Sequence, residues 1–215
     1  MQAKIPPDYA LYLVTDRSVI GERNLLDCIR DAVSGGVTVV QLREKDLTSR
    51  QFYELGLQVQ AITREHNVPL IINDRLAIAL AIGACGVHLG QTDLPASVAR
   101  RLLGPQKLLG VSVNNSQEAM RAEREGADYV GAGAVFPTST KHNVRLLGLE
   151  GLTNIKRTVH IPVLAIGGIN DSNVSDVKGT DVDGICVVSA ILSKQDITSA
   201  ARELRAAWQR KDESK

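Results

Sequence analysis

Short apolar runs recur along the chain, and longer segments with the spacing of amphipathic helices separate them. Runs this short and rich in valine, leucine and isoleucine are typical of buried strands. The predicted strands are Leu11–Val14, Val37–Leu42, Leu70–Ile72, Gly86–Leu89, Leu108–Val113, Tyr129–Ala132, Val163–Ile166 and Gly184–Val188. The predicted helices are Leu25–Val33, Arg50–Glu65, Leu76–Ile82, Ala96–Leu103, Gln117–Glu125, Leu149–Arg157, Asn173–Val177 and Ile197–Trp208.

Glycine stands repeatedly where a helix should end and a strand begin, for example at Gly35, Gly36 and Gly126. Glycine adopts the left-handed conformation of a helix C-terminus at little cost, so these positions support the alternation. Strands that alternate with helices pair in parallel, and eight such units close into a (β/α)8 TIM barrel, an α/β fold. An open doubly wound sheet is the alternative, but Thr15-Asp16-Arg17-Ser18 stands where its Gly-rich dinucleotide loop would follow the first strand.

Length and charge narrow the class of protein. The 215 residues, 44% of them hydrophobic, suit one TIM-barrel domain over residues 1–215, with an amino-terminal extension at about 1–8 and a frayed tail at about 209–215. The 25 basic and 24 acidic residues nearly cancel, which argues against a nucleic-acid partner and favours small-molecule substrates. No signal peptide or membrane anchor is evident, so we expect a cytoplasmic protein without a membrane partner. A homo-oligomer is compatible with the sequence.

The three cysteines, Cys28, Cys85 and Cys186, are odd in number and widely spaced, without a CxxC pair. This spacing does not favour a disulfide framework. We interpret all three as buried small residues. A catalytic cysteine is the minor alternative, since no arrangement of histidine and asparagine accompanies them.

In a TIM barrel the active site lies at the carboxyl ends of the strands. The second strand runs out into Gln41, Arg43 and Lys45, which alternation aims toward one side. Converging cationic donors suit a polyphosphate, because their hydrogen bonds to phosphate oxygens are short and strong. A solvated turn with surface ion pairs is the alternative.

The next two strands end in acidic residues. Asp74 follows the third strand and Asp93 the fourth, so both should lie at the same rim facing the cations. Two carboxylates in that position fit Mg2+ held between the protein and a substrate pyrophosphate. Each aspartate alone is also explained as a residue at a helix start. We interpret His88 as a hydrogen-bonded structural group and leave it out of the predicted site.

Two later loops indicate a second phosphate site. After the sixth strand, a hydroxyl-rich stretch of Thr138, Ser139 and Thr140 ends in Lys141 and can bring donors to phosphate oxygens. An ordinary flexible loop is the alternative, although long loops at this face usually carry function. After the last two strands, Gly168 permits close approach and Ser189 adds a donor, at the two loops where barrels frequently bind phosphate.

Eight segments, in order through nearly the whole chain, together resemble the thiamine-phosphate synthase family. Each alone is weak, but the ordered set is highly specific. The segments are Leu11–Asp16, Gln41–Lys45, Asn73–Asp74, His88–Asp93, Gly110–Ser112, Gly131–Lys141, Ile166–Ile169 and Val188–Ala190.

The resemblance implies a Mg2+-dependent reaction. Hydroxymethylpyrimidine pyrophosphate would condense with hydroxyethylthiazole phosphate, or with its carboxylated form and loss of CO2, to give thiamine phosphate and pyrophosphate. Pyrophosphate would leave first, and the thiazole nitrogen would capture the pyrimidinylmethyl cation. Arg43, Lys45 and Lys141 would stabilise the leaving group, and Asp74 and Asp93 would hold Mg2+.

The resemblance also implies which residues bind the substrates. Gln41, Leu42, Arg43, Glu44, Lys45 and Asn73 correspond to the pyrimidine pyrophosphate site, and Ser112 to a residue that hydrogen-bonds the substrate as it ionises. Thr138, Ser139, Thr140, Gly168, Val188 and Ser189 correspond to the thiazole phosphate site.

After Lys141 the chain departs from the family, because His142–Arg145 stands where a second lysine and an acidic residue often follow, which bears on the local loop geometry. Two other functions remain as alternatives. A thiazole tautomerase has a similar barrel and phosphate site but needs no pyrophosphate-binding cations or metal pair. A non-catalytic barrel that binds a thiamine precursor would release no pyrophosphate.

Overall fold

A computed structural model describes residues 6–138 and 146–210. Its eight strands are parallel and form a closed barrel in the order β1 to β8. Closure is completed by β1 against β8, where Leu11 lies opposite Ile185. The strands are β1 Leu11–Val14, β2 Val39–Leu42, β3 Leu70–Asn73, β4 Gly86–Leu89, β5 Leu108–Val113, β6 Tyr129–Gly133, β7 Val163–Ile166 and β8 Gly184–Val187. The predicted TIM barrel is therefore confirmed over an open sheet.

Helices follow the strands and cover the outside of the barrel. The described helices are α1 Arg17–Ile20, α2 Leu25–Ser34, α3 Ser49–Glu65, α4 Leu76–Ile82, α5 Ala96–Leu103, α6 Ser116–Arg124, α7 Gly148–Thr158, α8 Val174–Lys178, α9 Ser189–Leu192 and α10 Ile197–Gln209. The sequence pattern missed α1 and α9, because a single helical turn is too short to show a helical period. α10 includes Gln209, the first residue of the predicted tail; residues 1–5 and 211–215 lie outside the described residues.

Each strand is buried on both faces, which explains its continuous apolar run. One set of side chains points outward and packs with the helices in a large core, including Leu13, Leu42 and Val130. The alternate set points into the barrel, where Tyr9, Tyr12 and Tyr129 fill the lower interior. The polar side chains that point into the barrel lie above Tyr12, at the carboxyl ends of the strands. None of the helices within residues 6–138 and 146–210 is long and apolar enough to span a membrane.

The amino end of the barrel is held by side chains that stand immediately before even-numbered strands. Each side chain accepts a hydrogen bond from a backbone N–H group near the start of the preceding strand. A regular ladder leaves this N–H group without a strand partner at the barrel edge. The N–H groups of Leu11, Leu109 and Val163 donate to Thr38 Oγ1, Asp128 Oδ2 and Asp183 Oδ2 over 3.0, 2.6 and 2.7 Å.

Cys85 occupies the equivalent position before β4, because its N–H donates to the Leu70 carbonyl at 2.9 Å as that of Asp128 does to Leu109 at 2.7 Å. The prediction that all three cysteines are buried is therefore wrong for Cys85, which is exposed, and confirmed for Cys28 and Cys186. The physical reason is that this position lies at the lower rim of the barrel, where the side chain faces solvent, as that of Asp183 does.

The Asp128→Ala substitution should lower the free energy of unfolding by about 1–3 kcal/mol. It removes the acceptor of the Leu109 backbone N–H and the charged partner of Arg100. Asp128 accepts from Leu109 and also pairs with Arg100 at 2.5 Å. Urea denaturation followed by circular dichroism measures the change, with Glu203→Ala on the exposed surface of α10 as the control. Equal stability of the two variants would show that the Leu109 amide is satisfied without Asp128.

Candidate active site

The carboxyl ends of the eight strands form the mouth of the barrel, and the described members of the predicted site converge there. They are Gln41, Arg43 and Lys45 at β2, Asn73 and Asp74 at β3, Asp93 after β4, Ser112 on β5, Thr138 after β6, Gly168 after β7, and Val188 and Ser189 after β8. Ser139, Thr140 and Lys141 lie outside the described residues. Their assigned roles stay predictions.

Arg43 is held by the loop that follows β1. Asp16 caps α1 by accepting the Ser18 N–H, and its second carboxylate oxygen accepts from Nη1 of Arg43 at 2.8 Å. Thr15 Oγ1 accepts the Arg43 backbone N–H at 2.9 Å. The backbone and the guanidinium of Arg43 are therefore both fixed by the loop that follows β1. A guanidinium so oriented can present its remaining N–H groups to phosphate oxygens.

Leu42 and Glu44 alternate with the cationic residues, but their side chains have other contacts. Leu42 is fully buried between the strands and the helices. Glu44 is buried as well and accepts from Arg17 Nε at 2.8 Å. Burial raises the pKa of Glu44, and the contact with Arg17 offsets only part of that rise. Any contact of Leu42 with substrate is thus limited to its backbone, while that of Glu44 stays a prediction.

Lys45 and the two aspartates form the charged side of the mouth. The Lys45 ammonium pairs with Asp74, and Asp74 and Asp93 are close enough that each shifts the pKa of the other. Burial alone would raise the pKa of Asp74, but the hydrogen bond and charge of Lys45 hold it below its ordinary value. Burial, followed by the hydrogen bond and charge of Asp74, raises the pKa of Asp93. The predicted convergence of these three residues is present.

Neither aspartate serves as a side-chain cap of the following helix. The residue before α4 is Arg75 and the residue before α5 is Pro95, and neither helix start has a side-chain cap hydrogen bond. Asp74 has a φ of 59°, a left-handed conformation that a non-glycine residue seldom adopts and that occurs disproportionately at functional sites. Asp93 instead accepts the Gly90 N–H of its own loop at 2.7 Å.

The carboxylate pair fits a divalent cation that is shared with a substrate. Within the two described ranges, no group of three or more His, Cys, Asp or Glu side chains is placed to hold a metal by itself. Mg2+ commonly uses one or two carboxylates and completes its shell with water and substrate phosphates. Asp74 raises the pKa of Asp93, and a cation bound between the two carboxylates would offset this effect.

A chain of hydrogen bonds crosses the interior directly below the mouth. Gln41 Nε2 donates to the Tyr12 hydroxyl at 2.8 Å, and the hydroxyls of Tyr12 and Tyr129 lie 2.8 Å apart. The Tyr129 hydroxyl lies 3.2 Å from His88 Nδ1, and His88 Nε2 lies 2.9 Å from Ser112 Oγ. Gln41 and Ser112, both predicted to touch substrate, are therefore the two ends of one buried network.

The loops after β6, β7 and β8 form the far rim of the mouth. The Phe136 N–H donates to the Gly167 carbonyl at 3.0 Å, which joins the first two loops. Gly168 has a φ of 68°, and a Cβ there would lie 2.5 Å from the Pro137 carbonyl oxygen. Only glycine suits this position. Val188 is half-buried, and exposed Ser189 begins α9.

Comparison with known proteins assigns the family. A family model described as thiamine monophosphate synthase matches residues 11–191, from β1 into α9. The chain belongs to the thiamine monophosphate synthase family. A thiamine-phosphate synthase of Clostridium acetobutylicum is 54% identical over 195 residues, covering 91% of this chain and 92% of the relative. That of Clostridium tetani is 50% identical over 197 residues, covering 92% and 94%.

A solved structure extends the similarity to three dimensions. The thiamine phosphate pyrophosphorylase from Pyrococcus furiosus has a TM-score of 0.86 and 42% identity, covering 94% of this chain and 96% of that one. These matches confirm the resemblance drawn from sequence motifs. Membership of the thiamine monophosphate synthase family places the chain among the transferases of thiamine biosynthesis.

Two parts of the candidate site were not predicted from the sequence. Asp16 stands in a motif that marked the family, and its position directly after a strand was the available signal. The network of Tyr12, Tyr129 and His88 had no such signal, since tyrosine in a barrel strand is equally a core residue. For His88, the interpretation as a hydrogen-bonded group fits its two ring contacts.

Proposed function

We propose that the mouth joins hydroxymethylpyrimidine pyrophosphate to hydroxyethylthiazole phosphate, giving thiamine phosphate and pyrophosphate. The observation that carries the proposal is the placement of Arg43 and Lys45 beside the carboxylate pair of Asp74 and Asp93, across the mouth from the glycine-rich far rim. One side suits a pyrophosphate with its cation, and the other suits a phosphate monoester. A cytoplasmic location is part of the proposal.

The cationic side would stabilise the leaving group. In the first step the bond from the pyrimidine methylene carbon to the pyrophosphate oxygen breaks, and the electron pair leaves with pyrophosphate. Arg43 and Lys45 lower the energy of the developing negative charge, and we assign the same role to Lys141. Asp74 and Asp93 would hold Mg2+, which supplies further neutralisation of the pyrophosphate charge.

The pyrimidine would occupy the centre of the mouth, above the buried network. Gln41, Asn73 and Ser112 lie there on β2, β3 and β5, with Gln41 and Asn73 buried and Ser112 half-buried. Their hydrogen bonds would orient the methylene carbon toward the thiazole, whose nitrogen lone pair forms the new C–N bond. Catalysis would come from holding both substrates in this geometry and from excluding water from the pyrimidinylmethyl cation. No covalent nucleophile is required.

The far rim would bind the thiazole phosphate. Thr138, Gly168, Val188 and Ser189 converge there, and we assign Ser139 and Thr140 to the same phosphate. Backbone N–H groups after β7 and β8 commonly bind phosphate in TIM barrels. Release of CO2 during the reaction would show that the natural thiazole substrate carries a carboxylate.

Purified protein given both substrates and Mg2+ should release pyrophosphate and form thiamine phosphate in equal amounts. Omission of either substrate, or addition of a chelator, should abolish product. Pyrophosphate without thiamine phosphate would contradict the proposal. Conversion of the thiazole alone would indicate a tautomerase, and substrate binding without turnover would indicate a binding protein.

The Gly168→Ala substitution should raise the KM for the thiazole phosphate by at least about ten-fold with a smaller change in kcat, because the added methyl group displaces the phosphate-binding loop. A Cβ would lie 2.5 Å from the Pro137 carbonyl oxygen. Gly83→Ala is the matched control, since Gly83 has nearly the same φ, 69°, at the end of α4, and a Cβ there meets no atom within 4 Å. A KM equal to that of the control would remove Gly168 from the phosphate site.

A further inference from the structure

The buried network has two ends in the mouth, at Gln41 and Ser112, and its central members are Tyr12, Tyr129 and His88. We propose that the network runs in one direction, from Gln41 as first donor to Ser112 as last acceptor, so that the Ser112 hydroxyl proton is directed at the substrate. Tyr12, Tyr129 and His88 would then be positioning residues, and His88 would carry its proton on Nε2. The direction is a property of the free protein; its use in catalysis rests on the proposed function.

The direction begins at Gln41. Its Nε2 donates to the Tyr12 hydroxyl oxygen at 2.8 Å, inside the barrel where Gln41 is 4% exposed. An amide NH2 group only donates, so this contact uses an acceptor position of Tyr12. The proton of Tyr12 is then left for the Tyr129 oxygen, 2.8 Å away. The Gln41 donor thus determines the direction in which the Tyr12 hydroxyl donates.

The tyrosines pass the direction on because both are neutral. Burial raises the pKa of Tyr12 and of Tyr129 well above the ordinary value, so each hydroxyl keeps its single proton. Tyr129 accepts from Tyr12 and therefore donates to His88 Nδ1 at 3.2 Å. An accepting Nδ1 places the histidine proton on Nε2, which donates to Ser112 Oγ at 2.9 Å.

Packing keeps the members in line. The Tyr129 ring lies against His88 and Tyr9, with centroid separations of 5.6 and 5.1 Å. Beside them, Gly110 leaves the required space, since a Cβ there would lie 2.2 Å from Tyr129 Cζ and 2.5 Å from His88 Nδ1. This packing fixes the positions of the rings, and the hydrogen-bond partners then determine the direction of proton donation.

The two directions give the Ser112 hydroxyl opposite hydrogen-bonding roles toward the substrate. In the proposed direction, Ser112 accepts from His88 and its own O–H donates to an acceptor atom of the pyrimidine pyrophosphate ester. In the reverse direction, Ser112 would donate to His88 and could only accept from the substrate. A donor fixed in advance costs no reorganisation when negative charge develops on the leaving group.

The tautomer of His88 reports the direction and can be measured without substrate. Protein labelled with 15N-histidine is studied by long-range 1H–15N NMR, with the His88 ring identified through His88→Gln. We expect an Nε2–H tautomer whose ring signals change in Tyr129→Phe and stay unchanged in Tyr9→Phe. The Tyr9 hydroxyl is buried, and no hydrogen-bond partner for it occurs among the described residues, which makes it the matched control. An Nδ1–H tautomer would overturn the proposal.

The kinetic consequence is tested with the same pair of variants. Tyr129→Phe should lower kcat by about ten-fold, the size expected for one misdirected hydrogen bond, with little change in the KM for either substrate. Tyr9→Phe should match the wild type. Equal kcat for both variants would contradict a positioning role. An Nε2–H tautomer in a protein without synthase activity would support the direction and refute only the proposed reaction.

Discussion

Lys45→Ala should reduce kcat by at least about 100-fold, because in the proposed reaction it removes a cation from the place where the leaving pyrophosphate gains charge. The Lys45 side chain is 53% exposed and pairs with Asp74, so its loss leaves no unfilled core space. We therefore expect the thermal unfolding midpoint to stay within a few degrees of the wild type. Steady-state pyrophosphate release, at saturating concentrations of both substrates, measures the effect.

Lys156→Ala provides the matched control for that experiment. Lys156 also forms a lysine–aspartate pair, with Asp183 at 2.7 Å, but this pair lies at the amino end of the barrel. Loss of such an ion pair without contact to substrate should leave kcat nearly unchanged. If Lys45→Ala kept kcat within a few-fold of Lys156→Ala, Lys45 would have no part in leaving-group stabilisation.

The cationic residues of the mouth are held by carboxylates of neighbouring strands. Arg43 pairs with Asp16 at 2.8 Å, and Lys45 pairs with Asp74. Each pair limits the rotamers that the long side chain would otherwise sample, so less entropy would be lost on binding of the proposed pyrophosphate substrate. A substrate with its own negative charge can then contact cations that are already in place.

The barrel could be predicted because burial on both faces gives each strand a continuous apolar run. The β2 boundary was less accurate: the prediction began at Val37, whereas the strand begins at Val39. Val37 is buried and apolar, but the Thr38 side chain hydrogen-bonds Leu11, the first residue of β1. Hydropathy does not distinguish a buried residue in a ladder from one in the turn before it.

That the acidic and cationic residues meet at one rim could be predicted because parallel strands end at the same rim. The partners of those residues could not, since they depend on the stagger of strands far apart in sequence. Tyr12 and Tyr129 are separated by 117 positions and meet only because the barrel closes. Asp16 and Arg43 are likewise brought together by the β1–β2 register, which places Val14 opposite Gln41.

Asp74→Asn should raise the Mg2+ concentration for half-maximal activity by about 10–100-fold, because it removes one of two carboxylates available to the cation. The variant nearly preserves shape and can still accept a hydrogen bond from Lys45. Part of the lost activity should therefore return at high Mg2+, which would not occur if Asp74 acted only by holding Lys45. Titration of synthase activity with Mg2+ measures the shift.

Asp46→Asn is the control for the Mg2+ titration, since Asp46 is an exposed carboxylate one residue after Lys45 and changes the net charge equally. A general charge effect would shift both titrations alike, as screening in solvent predicts. A shift confined to Asp74→Asn would place the cation at the carboxylate pair. An unchanged Mg2+ requirement in Asp74→Asn, with activity reduced at every concentration, would instead assign Asp74 to positioning Lys45 and leave the metal to other groups.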